Sequence, residues 1–279
     1  MEKFSVSMCV YGGDNPEWFK TAVDSILNQT ATPDEVVLVV DGPVPETLDN
    51  IIKVYESQSI FNVIRLPENQ GHGNARRIGL ENCSNEIVAL MDADDISLPT
   101  RFEQQLKCFA NDKDVAIVGG NISEFIDTPE NIVAHRLVPQ TDTEIKEYMK
   151  KRCPMNQMTV MFKKSFVQSV GGYIDWYCNE DYYLWLRMAM AGMKLANISD
   201  ILVNARVGKD MYSRRGGIKY FKSEAKLQKF MLDNKIIGLT TYAVNVAKRL
   251  IVQVLLPNSI RGWVFKKFAR EKQDAGKEV

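Results

Sequence analysis

The sequence predicts an α/β fold with a doubly wound, mostly parallel central sheet. Over the first 120 residues, short apolar runs alternate with helical patterns. Two of these runs, 36–40 and 87–91, are continuously apolar rather than alternating, which is typical of strands covered by helices on both faces. Pro16 and Pro99 each fit the first turn of a helix.

The elements follow one another in a regular order up to residue 120. Five strands are predicted over residues 4–10, 35–40, 62–66, 86–91 and 115–119. Four helices are predicted over residues 16–28, 45–57, 73–82 and 99–111. The later pattern is looser, and predicts helices over 141–151, 181–191, 217–234 and 237–256, strands over 157–162, 193–197 and 201–206, and a turn at Gly171-Gly172. We expect one α/β domain over residues 1–215 and a C-terminal helical extension over 216–279.

The composition excludes several classes of protein. The chain has 279 residues, of which 45% are hydrophobic and 25% charged, as in globular proteins and unlike disordered or coiled-coil chains. Lys+Arg and Asp+Glu both number 35, so no basic excess points to nucleic acid. The five cysteines form no CxxC pair, so neither zinc nor disulfides are expected. The longest apolar run, 250–256, is shorter than the roughly 20 residues of a membrane span, and no signal peptide is visible, so we expect a cytoplasmic protein.

The C-terminal residues 244–279 depart from the overall charge balance. They carry eight Lys or Arg and three Asp or Glu, a net charge of 8 − 3 = +5, together with Trp263, Phe265 and Phe268. This mixture suits an amphipathic segment on an anionic membrane surface. The alternative is a final helix whose aromatic side chains pack on the body of the protein. We expect peripheral association with the inner face of the cytoplasmic membrane.

Polar residues follow three predicted strands at the points where open α/β sheets bind ligands. The first strand runs into Tyr11-Gly12-Gly13, the second ends at Asp41-Gly42, and the fourth runs into Asp92-Ala93-Asp94-Asp95. The carboxyl ends of parallel strands share one edge of a sheet. We therefore expect these groups, which are distant in the chain, to converge in one site.

The acidic cluster Asp92-Ala93-Asp94-Asp95 is the strongest local signal. Three carboxylates within four residues repel one another unless a positive charge neutralises them. A Mg²⁺ or Mn²⁺ ion would do so, held by one or two carboxylates and by substrate phosphates. The alternative is an acidic loop that caps the helix after Pro99. The position of the cluster after an apolar strand favours the metal site.

Three further features each have a functional and a structural interpretation. Arg76 and Arg77 follow the glycines of residues 69–73, where a helix start favours an anion; we expect Arg76 on the pocket side and Arg77 as a solvated side chain. Asp181, at the start of a predicted helix, is a general base or an acid that stabilises the helix N-terminus. Arg214 and Arg215 neutralise a departing diphosphate or form a solvated cap. Neither GxGxxG nor GxxxxGK[ST] is present.

Taken in order, these motifs resemble family 2 of the inverting nucleotide-sugar glycosyltransferases, which have the GT-A fold. The matching segments span residues 4 to about 217. They are 5–11 with Pro16, 25–30, Val39-Val40-Asp41-Gly42, Asn69-Gln70-Gly71 with Ala75-Arg76, Asp92-Ala93-Asp94-Asp95 with Pro99 and Arg101, and Gly171-Gly172-Tyr173 with Glu180-Asp181-Tyr182. The stretch 206–217 is similar to the branch that builds bacterial capsule, exopolysaccharide or O-antigen units.

The resemblance implies an inverting hexosyltransferase and a role for each site residue. The nucleotide would be held by a set of residues at the strand ends and on the following helix: Val10, Tyr11, Asp41, Arg76, Asp92 and Ala93. Asp94 would bind the Mn²⁺ or Mg²⁺ that bridges the diphosphate. Asp181 would take the proton of the acceptor hydroxyl as its oxygen attacks the anomeric carbon. The metal, with Arg214 and Arg215, would stabilise the leaving diphosphate.

The sequence departs from the family pattern at two points. The second strand ends in Asp41-Gly42-Pro43, where many members carry two adjacent acids and a serine, so the preferred base stays open. The QxxRW motif of processive synthases is absent, which predicts transfer of one sugar. We expect transfer from a UDP-sugar to a saccharide acceptor, lipid-linked, in surface polysaccharide biosynthesis. The alternatives are a sugar-phosphate nucleotidyltransferase, whose glycine-rich basic N-terminal loop is missing, and a non-catalytic carbohydrate-binding or assembly scaffold.

Overall fold

The computed structural model describes residues 2–208 and 216–256. The strands are β1 Phe4–Tyr11, β2 Glu35–Asp41, β3 Phe61–Arg65, β4 Ile87–Met91, β5 Ile96–Ser97, β6 Val115–Phe125, β7 Ile132–Arg136, β8 Met161–Lys163 and β9 Lys194–Arg206. The α-helices are α1 Pro16–Leu27, α2 Glu46–Glu56, α3 His72–Asn82, α4 Arg101–Asn111, α5 Asp142–Tyr148, α6 Lys164–Ser169, α7 Glu180–Met190, α8 Ile218–Asp233 and α9 Leu239–Leu250. A 3₁₀ turn covers Gln157–Thr159, and a π-helical turn covers Ile251–Leu255.

Within the described ranges, nine strands form a single mixed sheet. Its order is β3-β2-β1-β4-β8-β6-β9-β5, and β7 pairs with β6. Strands β3, β2, β1 and β4 are mutually parallel, as are β6 and β9. The short strand β8 runs antiparallel between β4 and β6. The ends of β1, β2 and β4 therefore lie along one edge, as the sequence predicts.

Helices cover both faces of the parallel strands. Val36, Leu38 and Val40 of β2 lie in a core that is completed by α1, α2 and α4. Val37 lies in the opposite core, with side chains of α3, α7 and α8. Each buried aliphatic side chain contributes about 1.5 to 3 kcal/mol. The prediction of a doubly wound α/β fold is confirmed. The strands have continuous apolar runs because helices bury both faces of the sheet.

Two of the predicted strands differ from those observed. Residues 157–162 begin as a 3₁₀ turn, because the amide of Thr159 donates to the carbonyl of Asn156 at 2.9 Å, and pairing starts only at β8. The predicted strands 193–197 and 201–206 form one strand, β9. The register between β6 and β9 shifts near Asn121, whose side-chain amide donates to the carbonyl of Ser199 at 2.6 Å. A bulge thus replaces the expected break. The strands β5 and β7 and the helix α6 were not predicted.

The helices α8 and α9 pack on the body of the protein. Leu227 and Met231 of α8 are fully buried in the core that contains α7. The side-chain amide of Asn245 in α9 donates to the carbonyl of Lys150 at 3.0 Å. Among the described helices, none is both long enough and apolar enough to span a bilayer. Residues 209–215 and 257–279 lie outside the described residues. The predicted domain boundary between residues 215 and 216 falls at the end of the first of these two stretches.

A buried polar network joins α4 to the strands beneath it. The Arg101 guanidinium donates to the carbonyl of Leu90 at 2.7 Å and to the side-chain oxygen of Gln105 at 3.1 Å. The Gln105 amide in turn donates to the carbonyls of Val118 and Thr159, at 3.0 and 2.7 Å. Burial lowers the pKa of Arg101 to about 9. The network gives the buried backbone carbonyls of Leu90, Val118 and Thr159 side-chain donors.

We predict that Gln105→Ala lowers the free energy of unfolding by about 2 to 4 kcal/mol, because two buried carbonyls lose their donor. The measurement is urea denaturation followed by circular dichroism. Gln104→Ala is the matched control, since the described side-chain hydrogen bond of Gln104 goes to Thr100, the residue before α4, at 3.0 Å. The control is expected to change stability by less than about 0.5 kcal/mol. Equal effects of the two substitutions would contradict the structural role of the network.

Candidate active site

A cleft of about 480 Å³ opens at the carboxyl ends of β1, β2 and β4. It is lined by residues that the sequence analysis selected at these three strand ends: Val10, Tyr11, Asp41, Asp92, Ala93 and Asp94. Tyr11 is 47% exposed, whereas Asp41 is buried. The structure thus brings together side chains that lie more than 80 residues apart in the chain. Their individual roles stay predictions.

Asp41 holds the loop that leads into α3. One carboxylate oxygen, Oδ1, accepts from the amide of Gln70 at 2.7 Å, and Oδ2 accepts from the amide of Gly71 at 3.1 Å. The side chain of Asn69 donates to the backbone carbonyl of Asp41 at 3.1 Å. Gly42 has a φ of 87°, and a Cβ atom there would lie 2.6 Å from the amide nitrogen of Asn69. The glycine is therefore required by both backbone conformation and close packing.

Arg76 reaches the cleft through an ion pair with Asp92. The guanidinium is 2% exposed and contacts the Asp92 carboxylate, which is itself part of the cleft lining. The Nε group of Arg76 also donates to Nε2 of His72 at 3.0 Å. Burial lowers the pKa of Arg76, but the charges of Asp92 and of further groups such as Glu180 together outweigh it, so the pKa lies above its usual value. Arg76 is thus a fixed positive charge behind one acid of the cluster.

A second arginine supports the other end of the acidic cluster. The backbone amide of Arg206 donates to Oδ1 of Asp95 at 2.8 Å, and its Nε donates to the carbonyl of Asp94 at 3.2 Å. The guanidinium carbon lies 4.5 Å from the ring centre of Trp18 and 4.6 Å from that of Phe125. Two cation–π contacts therefore hold the arginine while it holds the loop.

The cleft carries more negative than positive charge. Its acidic side chains are Asp14, Asp41, Asp92, Asp94, Asp95 and Glu124, and its arginines are Arg136 and Arg206. Burial, and then the charges of Asp94 and Asp92, raise the pKa of Asp95 well above its usual value.

The donor set of the cleft fits a hard divalent cation. In the part of the chain that the structure describes, no three His, Cys, Asp or Glu side chains converge on one metal position. The carboxylate of Asp94 lines the cleft among other oxygen groups. This arrangement suits Mg²⁺ or Mn²⁺, which bind through one or two carboxylates and complete their coordination with phosphate oxygens and water.

Asp181 lies beside the cleft, in the first turn of α7. Its Oδ1 accepts from the amide of Tyr182 at 2.6 Å, and its Oδ2 is 3.9 Å from the sulfur of Cys153. The residues that line the 480 Å³ cleft do not include Asp181. Burial, and then the charge of Glu180, raise the pKa of Asp181 to about 6. The start of α7 meets the cleft through Glu180, whose Oε1 is 2.9 Å from Nδ1 of the cleft residue His72.

The structure adds five acidic, basic or histidine side chains to the cleft to which the sequence analysis assigned no role: Asp14, His72, Glu124, Arg136 and Arg206. Glu124 and Arg206 come together through the parallel register of β6 and β9, and Arg136 through the pairing of β6 with β7. One signal was available, because Glu124 is an acid within a strand that is buried over its whole length. The predicted diphosphate ligands Arg214 and Arg215 lie outside the described residues.

Comparison with known proteins identifies relatives over nearly the full length of the chain. The model of the family described as glycosyl transferase family 2 matches residues 5–170. An uncharacterized glycosyltransferase of Haemophilus influenzae is 39% identical and covers 96% of this chain and 100% of its own length. The UDP-Gal:alpha-D-GlcNAc-diphosphoundecaprenol beta-1,3-galactosyltransferase of Escherichia coli is 37% identical, over 96% of this chain and 97% of its own. The amylovoran biosynthesis glycosyltransferase AmsE of Erwinia amylovora is 33% identical, over 95% and 98%.

Solved structures share the fold at much lower identity. S. aureus TarS 1–349 in complex with UDP-GlcNAc has a TM-score of 0.65 and 16% identity, over 95% of this chain and 76% of that chain. The mannosyltransferase PcManGT from Pyrobaculum calidifontis, in complex with GDP-Man and Mn²⁺, has a TM-score of 0.61 and 16% identity, over 93% and 71%. These likenesses confirm the GT-A fold that the sequence predicts.

The family assignment follows from the extent of these matches. The family model covers more than half of the chain, and relatives above 30% identity align over nearly its full length. Such extensive matches are not produced by one shared motif. The chain belongs to glycosyl transferase family 2 and is a glycosyltransferase.

Proposed function

We propose that the enzyme transfers one sugar from a UDP-sugar to a lipid-linked saccharide, with inversion at the anomeric carbon, in the biosynthesis of a bacterial surface polysaccharide. The observation that carries the proposal is the convergence of Tyr11, Asp41 and the acidic cluster 92–95 in one cleft. The names of two relatives support the substrates, since one includes UDP-Gal and a diphosphoundecaprenol-linked sugar and the other amylovoran biosynthesis. Membership of the family argues against the nucleotidyltransferase and scaffold alternatives.

The nucleotide base would bind between Tyr11 and Asp41. The exposed face of the Tyr11 ring is available for stacking on a planar base. A carboxylate accepts up to about four hydrogen bonds, so Asp41 can accept from a uracil N–H in addition to the amides of Gln70 and Gly71. The ion pair with Arg76 holds Asp92 in place at the ribose side.

Asp94 would hold a Mn²⁺ or Mg²⁺ ion together with the donor diphosphate. Such an ion neutralises the charge that develops on the departing diphosphate. Without a cation, the acidic cleft would repel the donor. Arg206 contributes by fixing the loop that carries Asp94, through its Nε contact with the Asp94 carbonyl at 3.2 Å. A Mn²⁺ ion accompanies GDP-Man in the PcManGT structure, which supports a metal in this fold.

Asp181 would act as the general base. The acceptor oxygen forms its bond to the anomeric carbon while the bond from that carbon to the UDP oxygen breaks. The hydroxyl proton passes to the Asp181 carboxylate, and the electron pair leaves with UDP. The pKa of about 6 leaves this carboxylate ionised at neutral pH and makes it a stronger base than an ordinary aspartate.

We predict that Asp181→Asn lowers kcat at least about 100-fold and leaves UDP affinity within a factor of about 2, because the base is removed and the donor contacts stay. The measurements are UDP release under saturating substrate and UDP binding by calorimetry. In the wild-type enzyme, kcat/KM for the acceptor is expected to fall about tenfold per pH unit below about pH 6, since only the ionised base is active.

A stability measurement separates the base from a structural helix cap. Folding raises the pKa of Asp181 from 3.8 to about 6, so the ionised side chain reduces stability as the pH rises through this range. At pH 8 the neutral Asp181→Asn variant is therefore expected to melt at or above the wild-type temperature. A lower melting temperature together with weaker UDP binding would assign Asp181 to the helix cap instead.

We predict that Asp94→Asn removes most of the Mn²⁺ dependence of UDP affinity, because the ion loses its carboxylate ligand. Titration of UDP with and without Mn²⁺ measures this dependence. Asp114→Asn, an exposed acid beyond α4, is the matched control and should bind UDP as the wild type does. If chelation left tight UDP binding unchanged in the wild-type enzyme, the metal site would be refuted.

The C-terminal residues 216–279 are proposed as a helical extension that places the enzyme at the inner face of the membrane. Residues 257–279 contain six Lys or Arg and three acids, a net charge of 6 − 3 = +3. The relative from Escherichia coli acts, by its name, on a diphosphoundecaprenol-linked sugar, and such a lipid resides in a membrane. An anionic surface attracts basic segments by about 1 kcal/mol per Lys or Arg.

We predict that truncation after Leu256 lowers binding to phosphatidylglycerol vesicles, and that the binding of the full chain weakens with salt. Co-sedimentation at low and high ionic strength is the measurement. The truncated chain keeps the contacts of Asn245 with Lys150 and Gln228, so its melting temperature should stay unchanged. Equal partitioning of both chains would contradict the proposed anchor.

A further inference from the structure

We propose that His72 and Glu180 are positioning residues that set the environment of the base Asp181. They complete a chain of side-chain contacts that starts at Asp92 and runs through Arg76. The inference rests on the proposed function, because it assumes that Asp181 takes the acceptor proton. It adds two residues, one in α3 and one in α7, whose contacts connect the donor side of the cleft to the base.

The chain consists of three consecutive contacts. Asp92, in the cleft lining, forms an ion pair with Arg76. Nε of Arg76 donates to Nε2 of His72 at 3.0 Å, and Nδ1 of His72 lies 2.9 Å from Oε1 of Glu180. An arginine Nε–H can only donate, so Nε2 of His72 must carry a lone pair. The contacts therefore assign a neutral His72 whose Nδ1–H donates to Glu180.

The close approach of α3 and α7 makes this chain possible. A Cβ atom added to Gly73, the residue after His72, would lie 3.3 Å from the Cα of Asp175 and 3.6 Å from the Cβ of Glu180. The small glycine lets the starts of the two helices pack nearly backbone to backbone. His72 can then bridge to Glu180 although 54% of its side chain is exposed, whereas Glu180 is only 7% exposed.

The bridge keeps a negative charge next to Asp181. Burial raises the pKa of Glu180, while the hydrogen bond with His72, the charge of His72 when it is protonated and the charge of Arg76 lower it; the net pKa lies below the usual value. Asp181 is affected by burial first and by Glu180 second, and both raise its pKa. The ionised Glu180 therefore makes its neighbour Asp181 a stronger base.

Other groups around Asp181 act in both directions. Arg136 of β7 and Arg76 of α3 lower its pKa through their positive charge. The thiol of Cys153 and the phenol of Tyr173, which come from two other segments, have raised pKa values, chiefly through burial, and stay neutral near pH 7. Among these described groups, Glu180 is thus the acid whose negative charge opposes the ionisation of Asp181.

The test is the pH dependence of kcat/KM for the acceptor in Glu180→Gln. Loss of the neighbouring charge should move the acidic limb about 1 pH unit lower, while the plateau falls because Asp181 becomes a weaker base. At pH 5 the variant should then retain about fivefold more of its own plateau rate than the wild type does. A purely structural defect would lower the rate at every pH and leave the limb in place.

A matched pair at His72 tests the bridge itself. In His72→Asn the amide can occupy the position of Nδ1 and donate to Glu180, whereas in His72→Gln the amide occupies the position of Nε2 and leaves Glu180 without this donor. The limb of His72→Gln should therefore move to lower pH, and that of His72→Asn should stay nearer to the wild type. His72 is largely exposed, so these variants give an answer even if Glu180→Gln does not fold.

The outcomes separate the inference from the function on which it rests. Full activity of Asp181→Asn would refute the proposed base, whatever the Glu180 variant does. An inactive Asp181→Asn with an unmoved limb in Glu180→Gln would overturn the inference alone. An unmoved limb in both His72 variants, with normal folding, would overturn the bridge. UDP affinity and melting temperature are measured for every variant.

Discussion

The site depends on the ion pair between the buried Arg76 and Asp92. Moving a guanidinium out of water costs several kcal/mol, and the cost is offset only when a carboxylate and further hydrogen bonds are in place. Asp92 supplies the charge, and His72 supplies an acceptor at 3.0 Å. Removal of one partner would leave an uncompensated buried charge, at about 3 to 5 kcal/mol. The pair therefore fixes the start of α3 and the acidic loop after β4 relative to each other.

The two arginines divide the acidic loop between them. Arg76, in α3, binds Asp92. Arg206, at the end of β9, contacts the next two acids of the loop, through the carboxylate of Asp95 and the carbonyl of Asp94. The positive charges of Arg76 and Arg206 reduce the repulsion among the three acids of this loop. The remaining excess of acids fits the divalent cation that we propose to accompany the donor diphosphate, because like charges would otherwise repel each other.

The sequence predicts the convergence of Tyr11, Asp41 and Asp94 because it depends only on parallel strands that are recognisable by their apolar runs. It does not predict Arg206 and Glu124 as cleft residues, because their meeting depends on the register of β6 with β9. That register includes a bulge at which the Asn121 side chain donates to the Ser199 carbonyl and accepts from the Val138 amide, and no local pattern encodes it. The contact between His72 and Glu180 is equally hidden, since it joins residues 108 positions apart through the packing of two helix ends.

The adjacent acids Glu180 and Asp181 illustrate how one helix start can serve two purposes. Their environments move their pKa values in opposite directions, downward for Glu180 and up to about 6 for Asp181. Two neighbouring carboxylates whose pKa values are pushed apart take different roles in a site. Glu180, whose oxygen contacts His72 and whose pKa is lowered, is ionised more readily than an ordinary glutamate and is the weaker base of the two. Asp181 accepts one backbone amide and bears the cost of its neighbour's charge, which is the condition that suits a carboxylate to remove a proton near neutral pH.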